Sequence, residues 1–223
     1  MRLWLKFSQA DSLAFISHLD THKAYYRMFR RADLPLAYSQ GFNPHPVMSL
    51  AAPLPLGFAS NADYLDLALA EDTPTEEITQ RLLTVSGNES LTLQGLRVIT
   101  TKVPALASLI AWGEYDINFR PGFNITEALQ AFEAASEVPF VKETKRGTRD
   151  ADAKTLVRSI VATEYGLRAI LSLAEPVVFR PEELIKVLSK LSSSKNNAEI
   201  ELVVRQELYV RGDGLDHPLQ CGL

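Results

Sequence analysis

The segment Tyr38-Ser-Gln-Gly-Phe-Asn-Pro-His-Pro46 separates the first predicted helix of the chain from the first predicted hairpin. Its two prolines fix φ at about −65° and favour extended conformations before them, so His45 is presented on a stiff stretch. Gly41 permits a sharp bend just before it. We therefore predict a binding site here. The alternative is a plain turn, in which Phe42 fills the core and His45 is solvated.

The residues before this segment predict a strand followed by a helix. Leu3, Leu5 and Phe7 recur at every second position, which is the period of a strand. Ser17 lies three residues before Asp20, a capping-box-like arrangement that starts a helix running to about residue 33.

The predicted helix has two contrasting faces. Apolar and aromatic side chains at helical spacing are predicted to face the core, namely Leu19, His22, Tyr26 and Phe29. Cationic side chains form a stripe on another face, namely Lys23, Arg27, Arg30 and Arg31.

The residues after the segment complete a β-α-β-β-α-β order, which the second half of the chain repeats. Predicted strands of the first half lie near residues 3–7, 47–55, 63–70 and 91–103, and its helices begin near residues 17 and 73. In the second half the strands lie near residues 109–119, 156–163, 167–173 and 199–210, and the helices begin near residues 124 and 180. This repetition predicts an α+β fold of tandem ferredoxin-like units with antiparallel sheets. We expect one unit over residues 1–104, a second over 105–212 and a tail over 213–223.

Composition limits the function classes. The chain has 223 residues, of which 46% are hydrophobic and 22% charged, as in ordinary globular proteins. Its only cysteine, Cys221, excludes an internal disulfide framework, a four-cysteine zinc site and a cysteine-ligated iron–sulfur cluster. No apolar run approaches the roughly 20 residues of a membrane span, so we expect a soluble cytoplasmic protein without membrane partners. With a net charge of −4, RNA binding would require a local basic patch.

Such a patch is predicted between residues 142 and 154, which occupy the same place in the second half as the opening segment in the first. If the halves are related by a pseudo-two-fold axis, both segments and the helix stripe would frame one groove suited to RNA, with aromatic rings stacking on bases. The alternative is an ordinary solvated surface of mixed charge. The predicted binding residues are His18, Asp20, Arg27, Arg30, Tyr38, Phe42, Asn43, His45, Lys142, Lys145, Arg146, Arg149, Asp152 and Lys154.

Catalytic motifs are weak. His18 and His22 have the i, i+4 spacing of metal ligands, but His22 shares the predicted core face, so we predict no metal. The chain lacks a nucleotide-binding fingerprint and a hydrolase triad, which favours a protein without cofactors and without catalytic activity of its own. The enzymatic alternative is a metal-independent endoribonuclease that uses His18 or His45 as acid or base.

Four stretches together resemble the radical-SAM-linked proteins, a bacterial family of unassigned function. They are Phe15-Ile-Ser-His-Leu-Asp20, Arg30-Arg-Ala-Asp-Leu-Pro-Leu-Ala37, the Tyr38 to Pro46 segment and Ala52-Pro-Leu-Pro-Leu-Gly57. The resemblance implies a radical SAM protein with a cobalamin-binding-type domain as partner. The chain itself has no Cys-x-x-x-Cys-x-x-Cys ligand set.

The second half departs from the family pattern. The family's Asp-Ile-Arg-Pro corresponds here to Asp152-Ala-Lys-Thr155, so the arginine and proline are missing. Lysine keeps the charge but loses bidentate geometry. We expect an accessory protein of the radical SAM enzyme that binds RNA or presents substrate in a groove between the units. The alternatives are the endoribonuclease and a protein-interaction scaffold.

Overall fold

The computed structural model describes residues 1–86, 90–120, 123–144, 147–192, 198–212 and 214–222. The chain has a mixed α+β fold whose sheet is mostly antiparallel, which confirms the α+β part of the prediction. It divides into two compact units, Met1–Ile110 with Leu208–Leu223, and Ala111–Glu207. The C-terminal residues therefore belong to the first unit.

The first unit has the element order β-α-β-β-α-β. Its strands are β1 (Arg2–Gln9), β2 (Met48–Leu50), β3 (Phe58–Ala68) and β4 (Leu91–Val98), and its helices are α1 (His18–Arg31) and α2 (Thr75–Ser86). Strand β1 lies between β4 and β3 and is antiparallel to both. The short strand β2 is antiparallel to the last part of β3.

The alternation in β1 divides its side chains between two faces. Leu3, Leu5 and Phe7 are fully buried in the core formed with the helices. The Phe7 ring lies 5.2 Å from that of Tyr25 and 6.1 Å from that of Phe29, both on α1. Burial of each such side chain contributes about 1.5–3 kcal/mol, so this face fixes α1 on the sheet.

Helix α1 begins as predicted but is rotated. The Ser17 hydroxyl accepts from the Asp20 amide at 3.2 Å, which confirms the cap. Thr21, Tyr25 and Met28 are buried together with the predicted Phe29, whereas Leu19 is 69% exposed. Apolar side chains lie on two faces of this helix, and the predicted core face was therefore wrong at Leu19. His22 and Tyr26 are half buried, and Tyr26 packs against the edge of the core.

The other face of the first sheet carries Arg2 and Trp4. The C-terminal residues lie beside it, because the Arg97 guanidinium on β4 donates to the carbonyls of Pro218 and Cys221. The same guanidinium lies 5.9 Å from the Trp4 ring. The segment that we predicted as a tail is thus packed on the first unit where it is described.

The second unit has the same element order with a hairpin added. Strand β5 (Ile110–Phe119) lies between β10 (Ile200–Val210) and β9 (Gly166–Ser172), and β8 (Val157–Ala162) is the edge strand. The added hairpin consists of β6 (Pro139–Thr144) and β7 (Gly147–Asp152). Its helices are α4 (Ile125–Ala134), α5 (Ala153–Leu156) and α6 (Pro181–Leu191), whereas the short helix α3 (Leu106–Leu109) belongs to the first unit.

The helices are short and amphipathic. Helix α1 has 14 residues, whereas a bilayer span requires about 20 apolar ones. Within the part of the chain that the structure describes, no helix is long and apolar enough to cross a membrane.

Candidate functional site

The segment from Tyr38 to Pro46, called here the proline loop, is closed at its base by the main chain. Tyr38 and Pro46 form an antiparallel bridge, and the Ser39 amide donates to the His45 carbonyl at 2.8 Å. Gly41 has a φ of 125°, which confirms the predicted bend at a position that only glycine adopts without strain. The base and the bend of the loop are therefore fixed by main-chain contacts and by Gly41.

Phe42 lies near the tip of this loop with its side chain fully exposed. The neighbouring residues from 40 to 45 are exposed as well, so no core is within its reach, and the alternative in which Phe42 fills the core is wrong. Because its side chain is exposed, Phe42 contributes no burial free energy to the folding of this chain. Its ring is available to stack on a base or to enter a pocket of another molecule.

His45 is held by one edge of its ring. Its Nδ1 lies 3.2 Å from the Asn43 carbonyl oxygen and 3.1 Å from the Ser39 hydroxyl. Because a carbonyl only accepts, this geometry assigns the proton to Nδ1 and leaves a lone pair on Nε2. The Ser39 hydroxyl also accepts from the His45 amide at 3.1 Å. The exposed imidazole is thus oriented, with Nε2 able to accept a hydrogen bond.

The proline loop is joined to α1 through a tyrosine pair. The hydroxyls of Tyr26 and Tyr38 are 3.4 Å apart. The hydrogen bond from Tyr26, followed by that from Arg30, lowers the pKa of the Tyr38 phenol. The pKa of Tyr26 is raised, chiefly by the same hydroxyl contact. The Tyr38 hydroxyl therefore contacts two side chains of α1, those of Tyr26 and Arg30.

The predicted cationic stripe on α1 is exposed. Arg30 contacts the Tyr38 side chain of the proline loop. Lys23 lies 3.3 Å from a carboxylate oxygen of Asp20, and Arg31 makes a long contact to the Val85 carbonyl at 3.5 Å. The pKa of Asp20 is lowered first by the Ser17 hydroxyl and then by Lys23, as expected for a capping carboxylate. The stripe and the loop form one surface on the first unit.

His18 and His22 form the second part of this surface. Their ring centroids are 6.3 Å apart. His22 is half buried and its ring donates to the Met48 carbonyl on β2. Burial is the main reason that its pKa is lowered, and the charges of His18 and His45 lower it further. The described residues contain no group of three or more His, Cys, Asp or Glu side chains that could hold a metal ion.

A cleft opens beside the proline loop on the face of β2 and β3, and we call it the β2 cleft. It encloses about 400 Å³. Its floor is the paired side chains of Arg2 and Asp66. Its walls include Ser39, His45, Val47, Ser49, Ala68 and Ala105. A second hollow beside His18 encloses only about 20 Å³, room for about one water molecule.

The predicted residues of the second half make contacts within their own unit. Lys142 forms an ion pair with Glu183, and Lys154 donates to the carbonyls of Glu133 and Ala135. Asp152 is the N-cap of α5, and its carboxylate accepts from the amide of Lys154 in that helix and from the amide of Val138, which precedes β6.

Arg149 completes this set. It donates to the Pro176 carbonyl and lies 3.6 Å from a Glu175 oxygen. Lys145 and Arg146 lie outside the described residues. The shared groove with the proline loop stays a prediction.

Sequence reasoning missed the floor of the β2 cleft and the Tyr26 contact. Arg2 and Asp66 are ordinary charged residues on two strands, and only the strand register brings them together. Tyr26 was assigned to the core. Its spacing of four residues before Arg30 was the available signal, because such pairs share one side of a helix.

The search of curated proteins gave no match to this chain. Residues 2–196 match the family described as an uncharacterized protein conserved in bacteria (DUF2344). Because this match covers most of the chain, including the proline loop, α1 and the β6–β7 hairpin, the protein belongs to that bacterial family.

Proposed function

We propose that the protein is a non-catalytic accessory of a radical SAM enzyme that binds single-stranded RNA, or presents substrate, on the surface of its first unit. The observation that carries the RNA part is the fully exposed Phe42 on a closed loop whose Tyr38 contacts Arg30 of the cationic stripe.

This combination suits a single strand of nucleic acid. Aromatic rings stack on unpaired bases with about 1–3 kcal/mol per base, whatever the base. Exposed cations neutralise phosphates and release their counterions, which provides affinity even in an acidic protein. The proline loop supplies the ring and α1 supplies the charges, so a strand can satisfy both at once.

The partner part of the proposal has two supports. One is the resemblance to the radical-SAM-linked proteins. The other is a set of exposed apolar side chains, Phe15, Leu19 and Leu56, with exposed fractions of 78%, 69% and 65%. The segments of Phe15 and Leu56 are bonded to each other, because the Gly57 amide donates to the Ala14 carbonyl at 2.7 Å. Exposed apolar side chains of this size suit a surface that a protein partner covers.

We further propose that both units are ferredoxin-like repeats. The strand order β4-β1-β3-β2 in the first unit corresponds to the order β10-β5-β9-β8 in the second. On this interpretation the β6–β7 hairpin is an insertion after the first helix of the second repeat.

The oriented imidazole of His45 supports a second candidate, a metal-independent endoribonuclease. Its Nε2 lone pair could accept the proton of a 2′-hydroxyl. Incubation of the purified protein with total RNA and a chelator tests this candidate. The accessory proposal expects no cleavage products, and cleavage that disappears in His45→Ala would establish the enzyme instead.

RNA binding is tested by fluorescence anisotropy with a labelled uridine oligomer of about 12 nucleotides. We expect affinity to fall steeply with salt. In the double variant Arg27→Ala/Arg30→Ala the slope of log affinity against log salt should become shallower by about 1.4, because two phosphate contacts are lost.

The matched control removes two exposed cations from the second unit, Lys186→Ala/Lys190→Ala. It should keep the wild-type slope. Equal changes in both double variants would mean that the slope depends only on the net charge of the protein. Absence of binding at low salt would refute the RNA part. Co-purification of the radical SAM protein with the chain, and its loss in Phe15→Ser/Leu19→Ser, tests the partner part separately.

A further inference from the structure

The β2 cleft has the size of a ligand site and no assigned role. Its volume of about 400 Å³ lies in the usual range of small-molecule pockets, roughly 300–1,000 Å³. The RNA surface proposed above uses Phe42 and α1. The cleft adjoins that surface, because His45 and Ser39 belong to both the proline loop and the cleft wall.

The charges at the floor of the cleft satisfy each other. The Arg2 guanidinium donates to both carboxylate oxygens of Asp66 at 2.8 and 2.6 Å, and to the carbonyls of Val103 and Pro104 at 2.8 and 2.7 Å. Asp66 also accepts from the Leu106 amide at 3.1 Å. A phosphate would have to compete with Asp66 for Arg2, and an ammonium would have to compete with Arg2 for Asp66. The cleft therefore favours an uncharged ligand.

The walls select for a ligand with apolar faces and a polar edge. Val47 and Ala68 provide apolar surface. His45 offers Nε2 as an acceptor, since its Nδ1 is engaged by the Asn43 carbonyl. The hydroxyl of Ser49 can donate or accept. A nucleobase has this pattern, with flat apolar faces and an edge of N–H donors and carbonyl or ring-nitrogen acceptors.

We infer that the β2 cleft binds one unstacked nucleobase of the RNA strand that the first unit binds. The inference rests on the proposed function and deepens it. Phe42 precedes His45 by three residues, so the stacking ring and the cleft lie within about 10 Å along the main chain. Neighbouring nucleotides of one strand can therefore engage both. Sequence-specific RNA recognition generally reads splayed bases by their edges in this way.

The test uses free ribonucleosides, which carry no phosphate. Adenosine, cytidine, guanosine and uridine are titrated separately into the ¹⁵N-labelled full chain at millimolar concentrations. For at least one of them we expect amide shifts at Ser39, His45, Val47 and Ser49 that persist at high salt, because the ligand is neutral. Inorganic phosphate should not reproduce these shifts.

Two tryptophan variants test whether the ligand binds in the β2 cleft. Ser49→Trp fills the cleft from an exposed strand position that tolerates a large aromatic residue, and Thr92→Trp places the same residue on an exposed position of β4 outside the cleft. We expect Ser49→Trp to abolish the nucleoside shifts and weaken oligonucleotide binding about ten-fold, and Thr92→Trp to change neither. His45→Gln should weaken nucleoside binding by a similar factor while the other amide signals stay in place.

The outcomes separate the inference from the proposed function. If the oligonucleotide binds through Phe42 but no nucleoside shifts the cleft amides, or Ser49→Trp binds the oligonucleotide normally, the inference is wrong and the proposed function stands. If the oligonucleotide does not bind at all, the RNA part of the proposed function is wrong, and so is the inference, even if a nucleoside binds, because the inference places the base on a bound strand.

Discussion

The proline loop and the β6–β7 hairpin both follow the first helix of their unit, yet they use their side chains differently. In the hairpin, Lys142 and Asp152 are bonded to groups of their own unit, as is Lys154 just after it in α5. In the proline loop, Phe42 is fully exposed and His45 is held by one edge with the other available.

This difference shows which side chains of the two segments are available for binding. Both segments looked unusual in sequence, one by its prolines and aromatic residues and the other by its charges. A cation that already bonds carbonyls or a carboxylate contributes to folding, and binding a phosphate would cost it those contacts. The exposed Phe42 ring on the closed proline loop makes no comparable contribution to folding. Substitutions in the two segments should therefore have opposite consequences.

The largest effect is expected from Asp152→Ala. The Asp152 carboxylate accepts from the Val138 amide at 2.9 Å and from the Lys154 amide at 3.0 Å. Its loss leaves two amides without this acceptor and should lower the free energy of unfolding by about 2 kcal/mol, as measured by urea denaturation. RNA affinity should not change.

Asp150→Ala provides the matched control, because Asp150 is exposed on the same strand. Its free energy of unfolding should stay within about 0.5 kcal/mol of the wild type. Equal stability of the two variants would mean that the Asp152 contacts do not stabilise the second unit, and the contrast with the proline loop would be wrong.

Phe42→Ala should have the converse effect. Because the side chain is fully exposed, the free energy of unfolding should not change, whereas one stacking contact worth about 1–2 kcal/mol is lost. The anisotropy assay should then show affinity for the oligonucleotide about ten-fold weaker. Tyr165→Ala removes a 66% exposed aromatic ring from the second unit and should leave affinity unchanged. Equal losses in both variants would mean that any exposed ring serves.

A smaller effect concerns the pH dependence of stability. Burial lowers the pKa of His22 below its usual value, so the folded state holds this proton less tightly than the unfolded chain does. The corresponding stability is present above the unfolded pKa of about 6.5 and is lost as pH falls below it. The thermal midpoint should thus fall between about pH 7.5 and about pH 5.5, and His22→Asn should flatten that fall. His18→Asn, at an exposed position, removes only a smaller contribution to this shift and should retain most of the fall; a profile as flat as that of His22→Asn would contradict the assignment.

The sequence predicted what depends on neighbours along the chain. The Ser17 cap, the Gly41 bend and the alternation in β1 are local, and each is confirmed. The rotation of α1 was missed because apolar residues occupy two of its faces, and only packing on Phe7 chooses between them. The floor of the β2 cleft was missed because Arg2 meets Asp66 through strand register across 64 positions.

The smallest effect tests the contact that joins the proline loop to α1. Tyr26→Phe removes the hydroxyl that lies 3.4 Å from that of Tyr38, and this hydrogen bond is the main reason that the pKa of Tyr38 is lowered. The pKa of Tyr38 should rise toward its ordinary value of about 10, as followed by ¹³C signals of the tyrosine rings in an alkaline titration. Arg30 would still donate, so the return should be incomplete, and Arg30→Ala added to Tyr26→Phe should complete it. Tyr165→Phe is the control and should leave the Tyr38 signal unmoved. An identical Tyr38 titration in wild type and Tyr26→Phe would mean that the Tyr26 hydroxyl does not hold the loop to α1 in solution. The proline loop and the cationic stripe of α1 would then not form one binding surface.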